Sequence, residues 1–308
     1  MSQPAQATAA GVAAATLAEA IARLARTASI EINVHDAAQM QAARAFLAPG
    51  TRIYVSFLPK QDWDDTLAAA RAVRAAGFEP VPHVPVRRVS DAATLERNLG
   101  RLVEESQVRE LLLISGDYRE AQGPYSTVLQ VMQSGLLARH GICKLSVAGH
   151  PEGHPAVALE VIRQAERDKA ALGAEQGLDL ALLTQVVFEH APLRQWAAGL
   201  RASGVRARLV AGLAGPASIT TLFKFAVRCG AGPSIRALGV RPGSLLKLLG
   251  DRGPEEVVRG LAAAQASGAA DLDAIHLFCF GGFLRSAEWL HRVANGQFQL
   301  DDKASFRV

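Results

Sequence analysis

Several polar side chains stand at the ends of apolar runs, where chemistry can be done: Glu31, Ser56, His83, Asp117, His150, His154 and Gln185. Glu31 lies within Ser-Ile-Glu-Ile-Asn-Val-His-Asp, a carboxyl among apolar neighbours. A carboxyl deprived of water keeps its proton to higher pH, which suits a general acid. The plainer alternative is a surface glutamate, but a strand covered on both faces has little solvent face to offer it. His83 follows Pro82 near the end of another apolar run and is either a hydrogen-bonded core imidazole or a ligand contact. Asp117 follows Gly116, as a turn or helix-capping residue does, and also as a carboxylate at a strand end does. Gln185 interrupts the run Asp179–Phe188 and serves either a neighbouring backbone group or a bound ring.

Other chemistries find less support. His150-Pro-Glu-Gly-His154-Pro places two histidines four apart with a carboxylate between them. Its prolines break the helix on which an H-E-x-x-H pair aligns its imidazoles, so no metal site is expected. No G-x-S-x-G elbow supports a covalent serine mechanism. Neither a G-x-G-x-x-G turn nor a P-loop lysine is present to mark an open nucleotide-binding sheet.

The elements that must position these groups are short apolar, β-branched runs alternating with longer amphipathic stretches. The runs are Ser29–Val34, Arg52–Phe57, Glu79–Val84, Glu110–Gly116, Lys144–His150, Asp179–Phe188, Arg206–Leu213 and Ala274–Phe280. Helical spacing predicts helices over Asp62–Ala76, Asp91–Glu105 and about Pro254–Ser267. Eight strands, each followed by helix, predict an α/β fold of the (β/α)8, TIM-barrel type. In that fold, functional residues gather at the carboxyl ends of the strands. Residues 1–28, rich in Ala, are expected to add a helix at one end, with the barrel over 29–308. The roughly sixty residues between strands seven and eight exceed the usual connection and are expected to hold an extra excursion.

Composition sets the broad class. The chain has 308 residues, 49% of them hydrophobic, enough for one large core. Lys plus Arg number 33 against 29 Asp plus Glu, a net charge of +4. These charges are scattered, so nucleic acid is not the expected partner, although the surplus favours an anionic small ligand. Cys143, Cys229 and Cys279 lie far apart and suit a reducing cytoplasm. No apolar run reaches the roughly 18–20 residues that cross a membrane. Association of like subunits is compatible with the sequence and is not specified by it.

From Ser29 to His291 the chain resembles the methylenetetrahydrofolate reductase family. Leu-Ser-Val-Ala-Gly-His-Pro-Glu-Gly-His-Pro (145–155) is similar to the family's S-V-A-x-Y-P-E-x-H-P. Leu-Leu-Thr-Gln-Val-Val-Phe (182–188) resembles I-T-Q-x-x-F, and Ile-Ser-Gly-Asp (114–117) resembles L-R-G-D. Pro82-His83 and Ser-Ile-Glu-Ile (29–32) complete the series in order.

The resemblance implies a flavin-dependent barrel with FAD as cofactor, NADH or NADPH as co-substrate and tetrahydrofolate derivatives as substrates. It implies interconversion of 5,10-methylenetetrahydrofolate and 5-methyltetrahydrofolate, in either direction. It makes Glu31 the acid that protonates the folate nitrogen as the imidazolidine ring opens. Asp117 would act beside flavin and pterin, and Gln185 would hydrogen-bond the pterin. Ser56, His83, Gly116, Tyr125, Ala148, His150 and His154 would line the FAD site, with Lys169 near its phosphates. Ile219 and Arg285 would meet the substrate, Arg285 reaching the folate glutamate.

The sequence departs from the family pattern at Ser115, His150 and Asp168, and in the strand-eight tail Phe278-Cys279-Phe280-Gly281-Gly282. These departures keep two alternatives open. One is another FAD barrel of the proline-dehydrogenase kind, and the other is a non-catalytic folate-binding partner subunit.

Overall fold

The computed structural model describes residues 16–116, 118–154, 156–217, 253–268, 272–302 and 305–308. The strands are β1 (Ser29–Ile32), β2 (Arg52–Val55), β3 (Glu79–Pro85), β4 (Glu110–Ile114), β5 (Lys144–Gly149), β6 (Asp179–Thr184), β7 (Arg208–Ala214) and β8 (Ala274–Phe278). Each pairs in parallel with the next. β8 returns to β1, with Ser29 opposite His276 and Ile30 opposite Leu277, so the sheet closes into the (β/α)8 barrel that the sequence predicts.

Among the described residues the main helices are α1 (16–26), α2 (Trp63–Ala75), α3 (Ala92–Ser106), α4 (Val128–Gln133), α5 (Leu159–Glu175), α6 (His190–Ala202), α7 (Glu255–Ala266) and α8 (Phe283–Ala294). The sequence shows why several begin where they do. Asp62 caps α2 by accepting from the Asp65 backbone N–H at 2.9 Å, and Asp65 returns the bond at 3.2 Å. Asp91 caps α3 through the Thr94 N–H at 2.7 Å. Helix α1 buries Ala20, Ile21, Leu24 and Ala25 in the outer core, and Arg26 donates to the Ala294 carbonyl at the end of α8. The excursion expected between β7 and β8 falls largely on residues 218–252, which lie outside the described residues. No helix among the described residues is long and apolar enough to cross a membrane.

Alternation along the strands sorts side chains into two environments. Ile30, Ile53, Leu111, Val147 and Leu182 join the core between sheet and helices, while Tyr54, Val81, Leu112, Ala181, Leu183, Val210 and Ala274 form a separate cluster inside the barrel. Both faces are buried, which is why the runs read as almost continuously apolar. Several polar residues of the interior are bonded to one another. Tyr54 Oη donates to Glu110 Oε1 at 3.1 Å and lies 2.8 Å from Ser146 Oγ. Near the amino ends, Arg208 pairs with Asp179 at 2.7 Å.

Gly212 on β7 lets the interior close. A Cβ there would stand 2.4 Å from the Thr184 carbonyl oxygen and 2.6 Å from the Phe278 ring. The backbone oxygen cannot yield, so Gly212→Ala is expected to destabilise the fold by about 1–3 kcal/mol through overpacking. Denaturant unfolding checks this; an unchanged midpoint would show that the barrel absorbs a methyl group there.

Candidate active site at the carboxyl mouth of the barrel

A cavity of about 290 Å³ opens at the carboxyl ends of the strands. Its apolar wall is Leu112, Ile114, Ala148, Leu183 and Phe278, and its polar groups include Glu31, Ser56, His83, His150 and Gln185. Six residues singled out from the sequence thus converge: Glu31, Ser56, His83, Ala148, His150 and Gln185.

Glu31 enters because β1 turns its odd positions inward. Ser29, two residues earlier, bonds His276 at 2.9 Å inside the barrel. The Glu31 side chain retains 21% exposure, and it lines the cavity. Burial, reinforced by the charge of Asp36, pushes its carboxyl from the ordinary 4.5 up to about 8. It is therefore mostly protonated at neutral pH, as a general acid must be. Asp36 is held at the same rim: its Oδ2 accepts from Asn33 N at 3.1 Å and Asn33 Nδ2 at 2.6 Å. This box begins the helical turn Val34–Gln39 that follows β1.

His83 Nε2 stands 3.5 Å from Glu31 Oε2. Burial presses the His83 imidazole down to about 3, and burial together with Lys169 presses His150 down to about 4. Both rings are neutral at neutral pH. His276 lies one level deeper, its ring centroid 4.6 Å from that of Tyr54 and 4.8 Å from that of Phe278.

The β5 end is braced from behind. Glu166 on α5 accepts from the His150 backbone N–H at 2.8 Å and from Trp196 Nε1 at 3.1 Å, and pairs with Arg163 at 2.8 Å. Gly149 leaves room for Trp196, whose ring would lie 2.7 Å from a Cβ there. Gln185 follows the last residue of β6. Its backbone N–H bonds Gly149 O at 3.0 Å, and its Oε1 accepts from Val186 N at 3.1 Å. The strand ends earlier than the run Asp179–Phe188 suggests, with Val187 keeping only an isolated bridge to Leu213.

The other residues expected at the site either do not line this cavity or fall outside the described residues. Tyr125 is buried in the outer core. Gly116 adopts φ +83°, with Pro85 Cβ 3.0 Å from the position of a Cβ, so backbone geometry accounts for the glycine. His154 is exposed, its ring centroid 6.0 Å from that of His150. Lys169 is buried and donates to the Ala148 carbonyl at 3.1 Å. Burial lowers its ammonium from the ordinary range, with Glu166 opposing. Asp168 is exposed and bonded to Gln164, away from the cavity lining. Arg285 is exposed in the first turn of α8. Asp117 and Ile219 lie outside the described residues.

The structure adds groups that the sequence reading passed over. Phe278 and Phe280 stack at 27° with centroids 6.2 Å apart, and both line the cavity. Phe280 holds φ +46°, a left-handed conformation that costs a non-glycine residue energy and recurs at functional sites. The aromatic pair in Phe-Cys-Phe was the available signal. Arg88 ties two rim loops together, donating to Pro59 O at 2.6 Å, Gln61 O at 2.6 Å and Tyr118 Oη at 2.9 Å. Its guanidinium also sits 5.1 Å from the centroid of the Phe57 ring. The arrangement offers a flat ligand an aromatic and aliphatic wall, neutral imidazole and amide partners, and one carboxyl proton.

No family model matches the chain. Among solved structures, the chain is similar to dihydropteroate synthase from Thermus thermophilus, at 12% identity and a TM-score of 0.45, over 85% of this chain and 92% of that one.

Proposed function

We propose that the chain is a flavin-dependent oxidoreductase that interconverts 5,10-methylenetetrahydrofolate and 5-methyltetrahydrofolate, with NADH or NADPH as the nucleotide partner. The observation that carries this reading is the placement of Glu31, a carboxyl on the wall of a cavity at the barrel mouth, where burial and the charge of Asp36 push it up to about 8. Opening an imidazolidine ring releases an amine nitrogen that needs a proton, and an acid of this kind supplies it.

In this reading the cavity would hold the ring of a flavin. Its volume of about 290 Å³ lies just below the roughly 300–1,000 Å³ typical of ligand pockets, and the cavity is open on one side. Leu112, Ile114, Ala148 and Phe278 would pack on the ring, while Ser56 and His150 would meet its polar edge. Bound FAD would supply or accept the hydride, since the cofactor carries that chemistry and the protein supplies orientation and electrostatics. Lys169, assigned to the phosphates by resemblance, is buried, donates to Ala148 O at 3.1 Å and does not line the cavity.

The chain's own residues do the remaining work. Gln185, which lines the cavity, would offer its amide to the pterin edge, and Glu31 would give its proton to the departing nitrogen. In the oxidative direction the same carboxylate takes that proton back. Asp117, beyond Gly116, is assigned by resemblance to the pterin, with Ile219 and Arg285 toward the rest of the folate.

The test is anaerobic. The protein, reconstituted with FAD, is reduced by NADH or NADPH and then mixed with methylenetetrahydrofolate. Return of the oxidised flavin spectrum with formation of 5-methyltetrahydrofolate is expected. A protein that takes up neither FAD nor a folate would overturn the reading, and flavin reoxidised only by an amino-acid-derived imine would replace it.

A further inference from the structure

His83 Nε2 is fully buried and makes no hydrogen bond among the described residues, yet it stands 3.5 Å from Glu31 Oε2. A buried polar atom left unpaired costs about 1–3 kcal/mol, so such an atom beside a reactive carboxyl calls for a reason. The distance exceeds the usual hydrogen-bond range of about 2.7–3.2 Å, but catalytic contacts often tighten only when substrate binds.

We propose that His83 is a positioning residue: its Nε2–H orients the protonated Glu31 and takes up a full hydrogen bond to Oε2 as the carboxylate forms. The inference rests on the acid role proposed for Glu31. While Glu31 is protonated, a long, weak contact to its carbonyl-like oxygen leaves the proton available on the other oxygen. When the proton departs, the charge appears 3.5 Å from that imidazole nitrogen, near enough for a small side-chain rotation to complete the bond. Such a donor favours the transition state over the resting state, which is what lowers a barrier. The neutrality of the imidazole matters here. An imidazolium beside Glu31 would hold it as a carboxylate and remove the acid before substrate arrived.

The surroundings agree with a neutral donor. Among the described residues the ionisable neighbours of His83 include Glu31, Tyr54, with ring centroids 6.1 Å apart, and His276, which disfavours a second positive charge nearby. Around Glu31 they are Asp36, which opposes ionisation, and the Cys279 thiol, which burial holds in its protonated form. Among the described residues no Lys or Arg lines this cavity, so no full cation there competes with His83 for the carboxylate.

The experiment compares His83→Phe with His83→Gln. Glutamine keeps an amide donor of similar reach, and phenylalanine keeps the ring and removes the donor. In the folate half-reaction, His83→Phe is expected to lower the rate about 10–100-fold with little change in folate KM, and to move the alkaline limb of the pH profile upward. His83→Gln should restore the limb and most of the rate. A second readout needs no turnover: the infrared carbonyl band of protonated Glu31, identified by its loss in Glu31→Gln, titrates to higher pH in His83→Phe than in the parent or His83→Gln. Equal midpoints in all three proteins, or equal shifts in both His83 variants, would overturn the positioning role. A parent protein without folate turnover that still shows the shift specific to phenylalanine would overturn the proposed function and leave the pairing standing.

Discussion

Glu31→Gln is expected to slow the folate half-reaction by about 10²–10⁴-fold, the range that a positioned acid contributes. Flavin reduction by NAD(P)H should stay within about threefold, since that half consumes no proton from this carboxyl. The amide preserves the shape and much of the polarity of the side chain, so the cavity should survive the change. The split between the half-reactions is the diagnostic. Rapid-mixing absorbance at the flavin band measures each half alone. Equal losses in both halves would make Glu31 a structural residue of the wall. The pH dependence adds a second check. With the carboxyl ionising at about 8, the parent rate should fall above that pH, and Glu31→Gln should lose this alkaline limb.

The second large effect is acid lability. His83 and His150 titrate at about 3 and about 4 in the fold, and His276, caged by burial, lies well below its ordinary 6.5. Groups with depressed folded values contribute stability that is present above the unfolded value and lost as pH falls toward the folded one. Below about pH 6.5 the unfolded chain takes up three protons that the folded one refuses, at about 1.4 kcal/mol per pH unit for each.

Glu31 acts in the opposite sense. Its folded value is raised, so its contribution is fully present below 4.5 and is lost as pH rises through about 8. It offsets one histidine over the shared window, and the raised carboxyl of Asp36 opposes the loss further at the acid end, leaving a net loss of at most roughly 3 kcal/mol per pH unit. Domains of ordinary stability, about 5–15 kcal/mol, would not tolerate that far below about pH 5. Urea unfolding at a series of pH values measures the slope directly. A flat stability between neutral pH and about pH 5 would show that water reaches these imidazoles in the fold.

Much of this architecture was legible in the chain. Strands covered on both faces read as apolar runs, and all eight fall where those runs lie. Their ends differ by a few residues, as where β6 stops at Thr184. Pairing there depends on the neighbouring strand and not on local preference. The polar residues at strand ends were legible for the same reason: an ionisable or amide group inside an apolar run is conspicuous. Glu31, His83 and Gln185 all reach the cavity.

Lys169 and Tyr125 show where the reasoning stops. Each sits at a sequence distance compatible with the mouth, but the packing of α5 turns Lys169 beneath β5, and Tyr125 fills the outer core.

The sequence by itself therefore determined the number of strands, their order and which residues would interrupt them. Tertiary closure decided the rest. Alternation in a strand says that neighbouring residues point to opposite sides, but which side becomes the interior depends on how the last strand registers against the first. The pairing of Ser29 with His276 makes that choice here. It turns Glu31 inward, brings it to His83 from another strand, and encloses Tyr54, His276 and Phe278 beneath them. The low-dielectric enclosure that keeps a proton on Glu31 and off His83 is a property of the closed barrel, because no local segment can withhold water from either group.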